Sequence, residues 1–181
     1  MDDIVPDVVD AVPAGIVKVT YNDSLQVDQG NELTPTQVKD QPTVEWSGLE
    51  GKSNLITLLM VDPDAPTRQD PKYREILHWA VVNIPGSSID PSGGYTLASY
   101  VGSGPPEGTG LHRYIFLVYR QQNKIEETPT ISNTYSTRAG RFNFSARDFA
   151  AKHGLGEPIA ANYYQAQFDG YVLIRNKTFT D

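Results

Sequence analysis

The sequence predicts a mainly β fold: a large antiparallel sheet packed on a smaller one, with a few peripheral helices, in a single domain spanning residues 1–181. Two observations predict the strands. Ile76–Ile84 and Leu111–Tyr119 are long runs rich in Val, Ile, Tyr and Phe, and Ile16–Tyr21, Thr43–Trp46, Leu55–Val61, Leu97–Val101 and Tyr163–Phe168 are shorter runs of the same kind. A third observation is the punctuation: Asn, Asp, Gly and Pro fill the connections, and no βαβ rhythm separates the strands.

Each element has a local reason. At the amino end Ile4, Val5, Val8, Val9 and Val12 fall at helical spacing, with Asp3 as a cap and Pro6 near the start, so residues 2–12 read as a short amphipathic helix lying on the body. A second helix begins at Ser145, a good N-cap with Asp148 three residues on, continues through Phe149-Ala150-Ala151-Lys152, and closes at Gly154.

Composition bounds the function. The chain has 181 residues, 39% hydrophobic and 20% charged, as a globular domain has. Its net charge is −7, and the acid is concentrated: residues 1–50 carry 10 acidic and 2 basic side chains, whereas residues 51–181 carry 12 and 13. This sign argues against nonspecific nucleic-acid binding and against a polybasic membrane anchor. With no cysteine, disulfides, thiolate catalysis and cysteine zinc sites are excluded. The acidic, proline-interrupted start does not read as a secretory signal, and no apolar run nears the length of a membrane span. A cytoplasmic, monomeric protein is therefore expected.

Two punctuated segments carry the chemistry. One is Gly102-Ser103-Gly104-Pro105-Pro106-Glu107-Gly108-Thr109-Gly110, which runs into Leu111-His112-Arg113-Tyr114; the other is Asp62-Pro63-Asp64-Ala65-Pro66, followed by Tyr73 and His78. Strand alternation puts His112, Tyr114, Phe116 and Val118 on one face, and Ile76, His78, Ala80 and Val82 on one face of the other strand. Each histidine thus stands at the loop end of an apolar wall, the make-up of a small ligand pocket. Imidazoles and amides of Gly102, Gly104 or Gly108 suit a phosphate or carboxylate, and Asp62 could take the ammonium of a zwitterion.

Each residue also has a plainer reading. Asp62 and Asp64 could bond their own Asp-Pro turns, the histidines and Tyr73 and Tyr114 could be packing groups, and Arg74-Glu75 could be a surface ion pair. Other chemistries lack their motifs. No P-loop Lys-Ser/Thr follows the glycines, no Gly-x-Ser-x-Gly elbow exists, and no close ligand pair supports a metal, so no cofactor is expected.

These segments resemble the signatures of the phosphatidylethanolamine-binding protein family, which includes the Raf kinase inhibitor proteins. Asp62-Pro63-Asp64-Ala65-Pro66 resembles its first motif, Gly102–Pro106 with Gly108–Tyr114 its second, and Asp70–Glu75 with His78 also fit. The resemblance is strongest over residues 55–120. It implies a non-enzymatic binding protein whose pocket takes phosphate, phosphorylethanolamine or phosphatidylethanolamine through Asp62, Ala65, Pro66, Tyr73, His78, Gly102, Gly104, Pro105, Pro106, His112 and Tyr114. It also implies regulation of a Raf-type kinase cascade or, alternatively, inhibition of a serine protease; a cryptic hydrolase is a further alternative. Ile76-Leu77 stands where mammalian members tend to have Trp and His, and Tyr171–Asn176 lacks the aromatic their C-terminal helix brings to the pocket mouth. Ser145 falls at a regulatory phosphorylation position of the mammalian kinase inhibitors and is also the helix N-cap.

Overall fold

The computed structural model describes residues 1–46, 54–86, 90–126 and 133–178. Its strands are β1 (Gly15–Ile16), β2 (Lys18–Tyr21), β3 (Leu25–Gln26), β4 (Asn31–Glu32), β5 (Thr43–Glu45), β6 (Leu55–Asp62), β7 (Ile76–Pro85), β8 (Tyr95–Ala98), β9 (His112–Gln121) and β10 (Ala160–Ala166); its helices are α1 (Ala146–Lys152) and α2 (Tyr171–Thr178).

The large sheet runs β1-β10-β9-β6-β7-β8, with β4 also on β10, and the small sheet runs β3-β2-β5. The centre of the large sheet is antiparallel, as expected, but β1 and β4 join β10 in parallel, so the sheet is mixed. The two parallel additions are only two residues each. The expected strand at 16–21 is therefore divided. Ile16 belongs to the large sheet and Lys18–Tyr21 to the small one, and buried Val17 lies where the chain passes between them.

Burial on both faces explains why the central strands read as nearly continuous apolar runs. One core lies on the small-sheet side and includes Val19, Val44, Leu58, Trp79, Tyr114, Phe116 and Val118. The other lies on the opposite face, where Leu59, Leu77, Ile115, Leu117 and Tyr119 meet Ile4, Val8, Phe149 and Ala150. Burying a side chain such as Phe149 stabilises the fold by about 2–3 kcal/mol.

The amino-terminal helix does not form. Only Asp2–Ile4 makes a 3-10 turn, and Val5 is extended at φ −114°, ψ 133°. The residue before a proline is pushed out of the helical region, so Pro6 stops the helix it was expected to start. Ile4, Val8 and Val9 are buried nonetheless, while Val12 is left exposed. The helix expected from Ser145 is present. The Asp148 N–H donates to Ser145 Oγ at 3.0 Å, and the Ala146 N–H donates to Glu75 Oε2 at 2.8 Å. Glu75 thus caps α1 from 71 residues away and does not pair with Arg74, which binds Asp7 and the Pro63 carbonyl instead.

Candidate functional site

A bulge in β7 aims the first histidine. Met60 pairs with Trp79 but Val61 pairs with Leu77, so His78 is the extra residue. A bulge turns a side chain away from the face that alternation assigns it. His78 consequently leaves the face of Ala80 and Val82, where alternation placed it, and its ring meets Tyr114 edge-on at 5.2 Å. The loop after β8 is tied to the bulge twice: the Val101 N–H donates to the His78 carbonyl at 2.9 Å, and His78 Nδ1 donates to the Val101 carbonyl at 2.7 Å. That second bond fixes the tautomer and leaves Nε2 as an acceptor. Burial, reinforced by the positive charge of Arg175, pulls the His78 pKa down to about 3, so the ring is neutral.

His112 opens β9 and is engaged at both nitrogens. Nδ1 lies 2.9 Å from Asp62 Oδ2, and Nε2 lies 2.9 Å from Thr109 Oγ1. Thr109 Oγ1 also lies 2.7 Å from the Pro106 carbonyl, so His112 is clamped between the loop and Asp62. Burial raises the pKa of Asp62, against the lowering effect of the His112 bond. The other Asp62 oxygen accepts from the Asp64 N–H at 2.8 Å. Each Asp62 oxygen thus already accepts one bond, and Asp62 lines the cavity.

Asp64 is a support. It is fully buried and accepts from Arg113 N and Nε at 2.9 Å and from Nη2 at 2.7 Å. Arg113 also reaches Asp7, which pins the amino-terminal segment behind the Asp62–Pro66 loop.

These elements enclose a cavity of about 100 Å³. Nine of the expected residues line it: Asp62, Ala65, Pro66, Tyr73, His78, Gly104, Pro106, His112 and Tyr114. Gly102 and Pro105 are buried behind the lining, and Ser145 stands apart at the head of α1. Tyr73 stacks on Phe142 with ring centres 5.1 Å apart, and His112 stacks on Tyr114.

Sequence reasoning missed the cations. Arg138, Arg141 and Arg175 also line the cavity. A 3-10 turn at Ala139–Arg141 carries Arg141 under β7, where it is 4% exposed. Its Nη1 donates to the Ser99 carbonyl at 2.8 Å and its Nε to the Tyr135 carbonyl at 2.8 Å, with Ser99 Oγ and the His78 carbonyl further off. All these acceptors are neutral, so the positive charge of Arg141 is left within the cavity wall. Burial, followed by repulsion from Arg175, lowers its pKa to about 10, still cationic at neutral pH. Arg175 comes from α2 and donates from Nε to the Gly102 carbonyl at 2.9 Å. It takes the place at the mouth where an aromatic was noted as missing. A Cβ at Gly104 would collide with its guanidinium, so glycine there lets Arg175 close against the loop. The sequence held one hint, the closeness of Arg138 to Arg141, but nothing in it links 138–141 or 175 to the loop at 102–112.

Tyr114 completes the floor. Its hydroxyl is buried and has no partner of hydrogen-bond geometry among the described residues; the Gly104 N–H is turned towards its oxygen, which leaves its own proton uncommitted. Burial holds its pKa well above the ordinary phenol value, so it stays a neutral donor. The site therefore presents a phenol donor and guanidinium charge around an imidazole acceptor. Among the described residues no group of three or more His, Cys, Asp or Glu side chains is placed to hold a metal ion.

The family model for phosphatidylethanolamine-binding protein matches residues 23–165. The chain belongs to this family. It is 82% identical to a protein whose solution structure is known as CG7054, with a TM-score of 0.80 and full coverage of both chains. It is 35% identical to putative odorant-binding protein A5 of Drosophila melanogaster over 97% of this chain and 81% of that one. It is 28% identical to a carboxypeptidase Y inhibitor, solved in complex with its cognate proteinase, with a TM-score of 0.69 over 87% of this chain and 85% of that one. The expected family membership and fold class are thus both found. No described helix is long and apolar enough to cross a membrane.

Proposed function

We propose that this family member binds a phosphate-bearing head group in the cavity, without turning it over, and regulates a protein partner. The observation that carries this reading is the buried Tyr114 hydroxyl, left without a partner in a wall that also holds Arg141 and Arg175. An unpaired buried hydroxyl costs about 1–3 kcal/mol, and a ligand oxygen offsets that cost on binding. Arg138, Arg141 and Arg175 outnumber the single Asp62 carboxylate in the wall and favour an anion. Phosphate is the recognised part of phosphorylethanolamine or phosphatidylethanolamine on this view, and the ammonium is a passenger.

A binding role also fits the fate of the histidines. His112 sits between Asp62 and Thr109, and Thr109 does not line the cavity, so this pair presents the ligand with no nucleophile. His78 keeps a lone pair on Nε2, which suits a protonated phosphate oxygen or another ligand donor.

The partner is proposed as a protein kinase of the Raf type, following the family resemblance. A second reading, inhibition of a protease through the surface, is favoured by the likeness to the carboxypeptidase Y inhibitor. Calorimetric titration with phosphorylethanolamine tests the pocket. The wild type is expected to saturate with one ligand, and Tyr114→Phe to bind roughly tenfold more weakly or worse, since a hydrogen bond to a charged group contributes about 1.5–3 kcal/mol. Equal affinity in the variant would overturn the assignment. Inhibition of a serine carboxypeptidase that survives Tyr114→Phe would favour the surface reading.

A further inference from the structure

The face of the large sheet away from Tyr114 holds a second cleft. It has a volume of about 250 Å³ and lies between the amino-terminal segment and α1, walled by Val8, Val9, Ala150, Ala151 and Pro158. Its floor is Tyr119, which projects from β9 into the core opposite the one that contains Tyr114. Tyr119 is 1% exposed; its hydroxyl makes no hydrogen bond among the described residues and, unlike that of Tyr114, is not shut off from solvent. We propose that this cleft is a second ligand site, for a small uncharged molecule that carries one hydrogen-bond acceptor such as a carbonyl.

Three features select that chemistry. The wall is aliphatic, so most of the ligand must be apolar. The polar group of the floor is a phenol held neutral: burial first, with Glu75 and Glu157 adding to it, pushes its pKa well up. It can therefore donate one hydrogen bond to an acceptor, and Glu157 in the wall disfavours an anion. The charges at the rim, Arg147 and Asp10, already bind each other at 2.7 Å. Size sets the remaining limit. At about 30 Å³ per water in the liquid, the space equals roughly eight waters, which suits a compact molecule and not an acyl chain of lipid length.

The site is independent of the phosphate reading, and its test keeps the two apart. The probe is 2-heptanone, titrated into isotope-labelled protein while amide and side-chain NMR shifts are recorded, with and without saturating phosphorylethanolamine. Saturable shifts are expected at Val8, Val9, Tyr119 and Ala150, unchanged by phosphorylethanolamine. Tyr119→Phe should weaken binding about fivefold to tenfold, as loss of one hydrogen bond does. Ala151→Leu, at an exposed helical position, should fill the cleft and abolish the shifts while the fold and the phosphorylethanolamine titration are retained. Absence of saturable shifts in the wild type, equal affinity in Tyr119→Phe, or shifts confined to the Tyr114 cavity would each overturn the proposal.

Discussion

His78 shows how one side chain changes role with its surroundings. As a free imidazole it would titrate near pH 6.5 and could meet an anion as a cation. Here burial and the nearby Arg175 depress its pKa to about 3, and its Nδ1 proton is committed to the Val101 carbonyl. Nitrogen-15 NMR of the ring should therefore report the neutral Nδ1–H tautomer from pH 8 down to pH 5. Protonation with a midpoint near 6 would show that the ring titrates as an exposed imidazole does and would contradict this assignment. Tyr114 is the complementary case. It remains a donor because burial opposes its ionisation, and it remains unsatisfied because its neighbours are rings.

At the scale of elements, two connections between distant segments matter most. The first is the cap of α1 by Glu75. Burial raises the pKa of Glu75 to about 7, against the lowering effect of the Ala146 N–H bond. The folded carboxyl therefore holds its proton where the unfolded one, near 4.5, has lost it. Its contribution to stability is full below pH 4.5 and is lost as pH rises towards 7, a change of roughly 3 kcal/mol from the 2.303RT linkage. Glu75→Gln should flatten this dependence and raise the denaturation midpoint at pH 8, while changing little at pH 4.5. A parallel loss of stability in wild type and variant between pH 5 and 8 would assign the effect to another group.

The second connection docks α2 on the Gly102–Gly110 loop. Arg175 lies where a Cβ on residue 104 would be. Gly104→Ala should therefore displace the guanidinium and weaken phosphorylethanolamine binding about as much as Arg175→Gln does. The double variant should be no weaker than either single one, because both changes remove the same contact. Additive losses by calorimetry would mean that Gly104 and Arg175 act on the ligand separately.

Across the whole molecule, the strands were legible because the central sheet is buried on both faces. Ile76–Ile84 and Leu111–Tyr119 could be apolar throughout and still be strands, and β7 and β9 lie within two residues of those bounds. Alternation placed Tyr114, Phe116 and Val118 together correctly. It failed at His78, because a bulge opposite Met60 and Val61 is a property of strand pairing and leaves no mark in one strand's own sequence. The amino-terminal helix failed at a mark that was present: Pro6 with extended Val5. The loops of the site were legible through their Gly and Pro. Its arginines were not, since the 3-10 turn at 139–141 and α2 reach the cavity only through topology. From the sequence alone the site therefore reads as two donor imidazoles with Asp62 open to an ammonium. The fold makes one imidazole neutral, ties the other to Asp62, and supplies the positive charge from Arg138, Arg141 and Arg175.

That redistribution of charge is the central claim, and a crystal structure with phosphorylethanolamine bound at neutral pH tests it most directly. The phosphate is expected inside the cavity, with oxygens at hydrogen-bond distance, about 2.7–3.1 Å, from the Tyr114 hydroxyl and from an arginine of the wall, and with the ammonium directed towards the mouth. A phosphate held outside, with the ammonium inside against Asp62 and the Asp62–His112 bond broken, would contradict it.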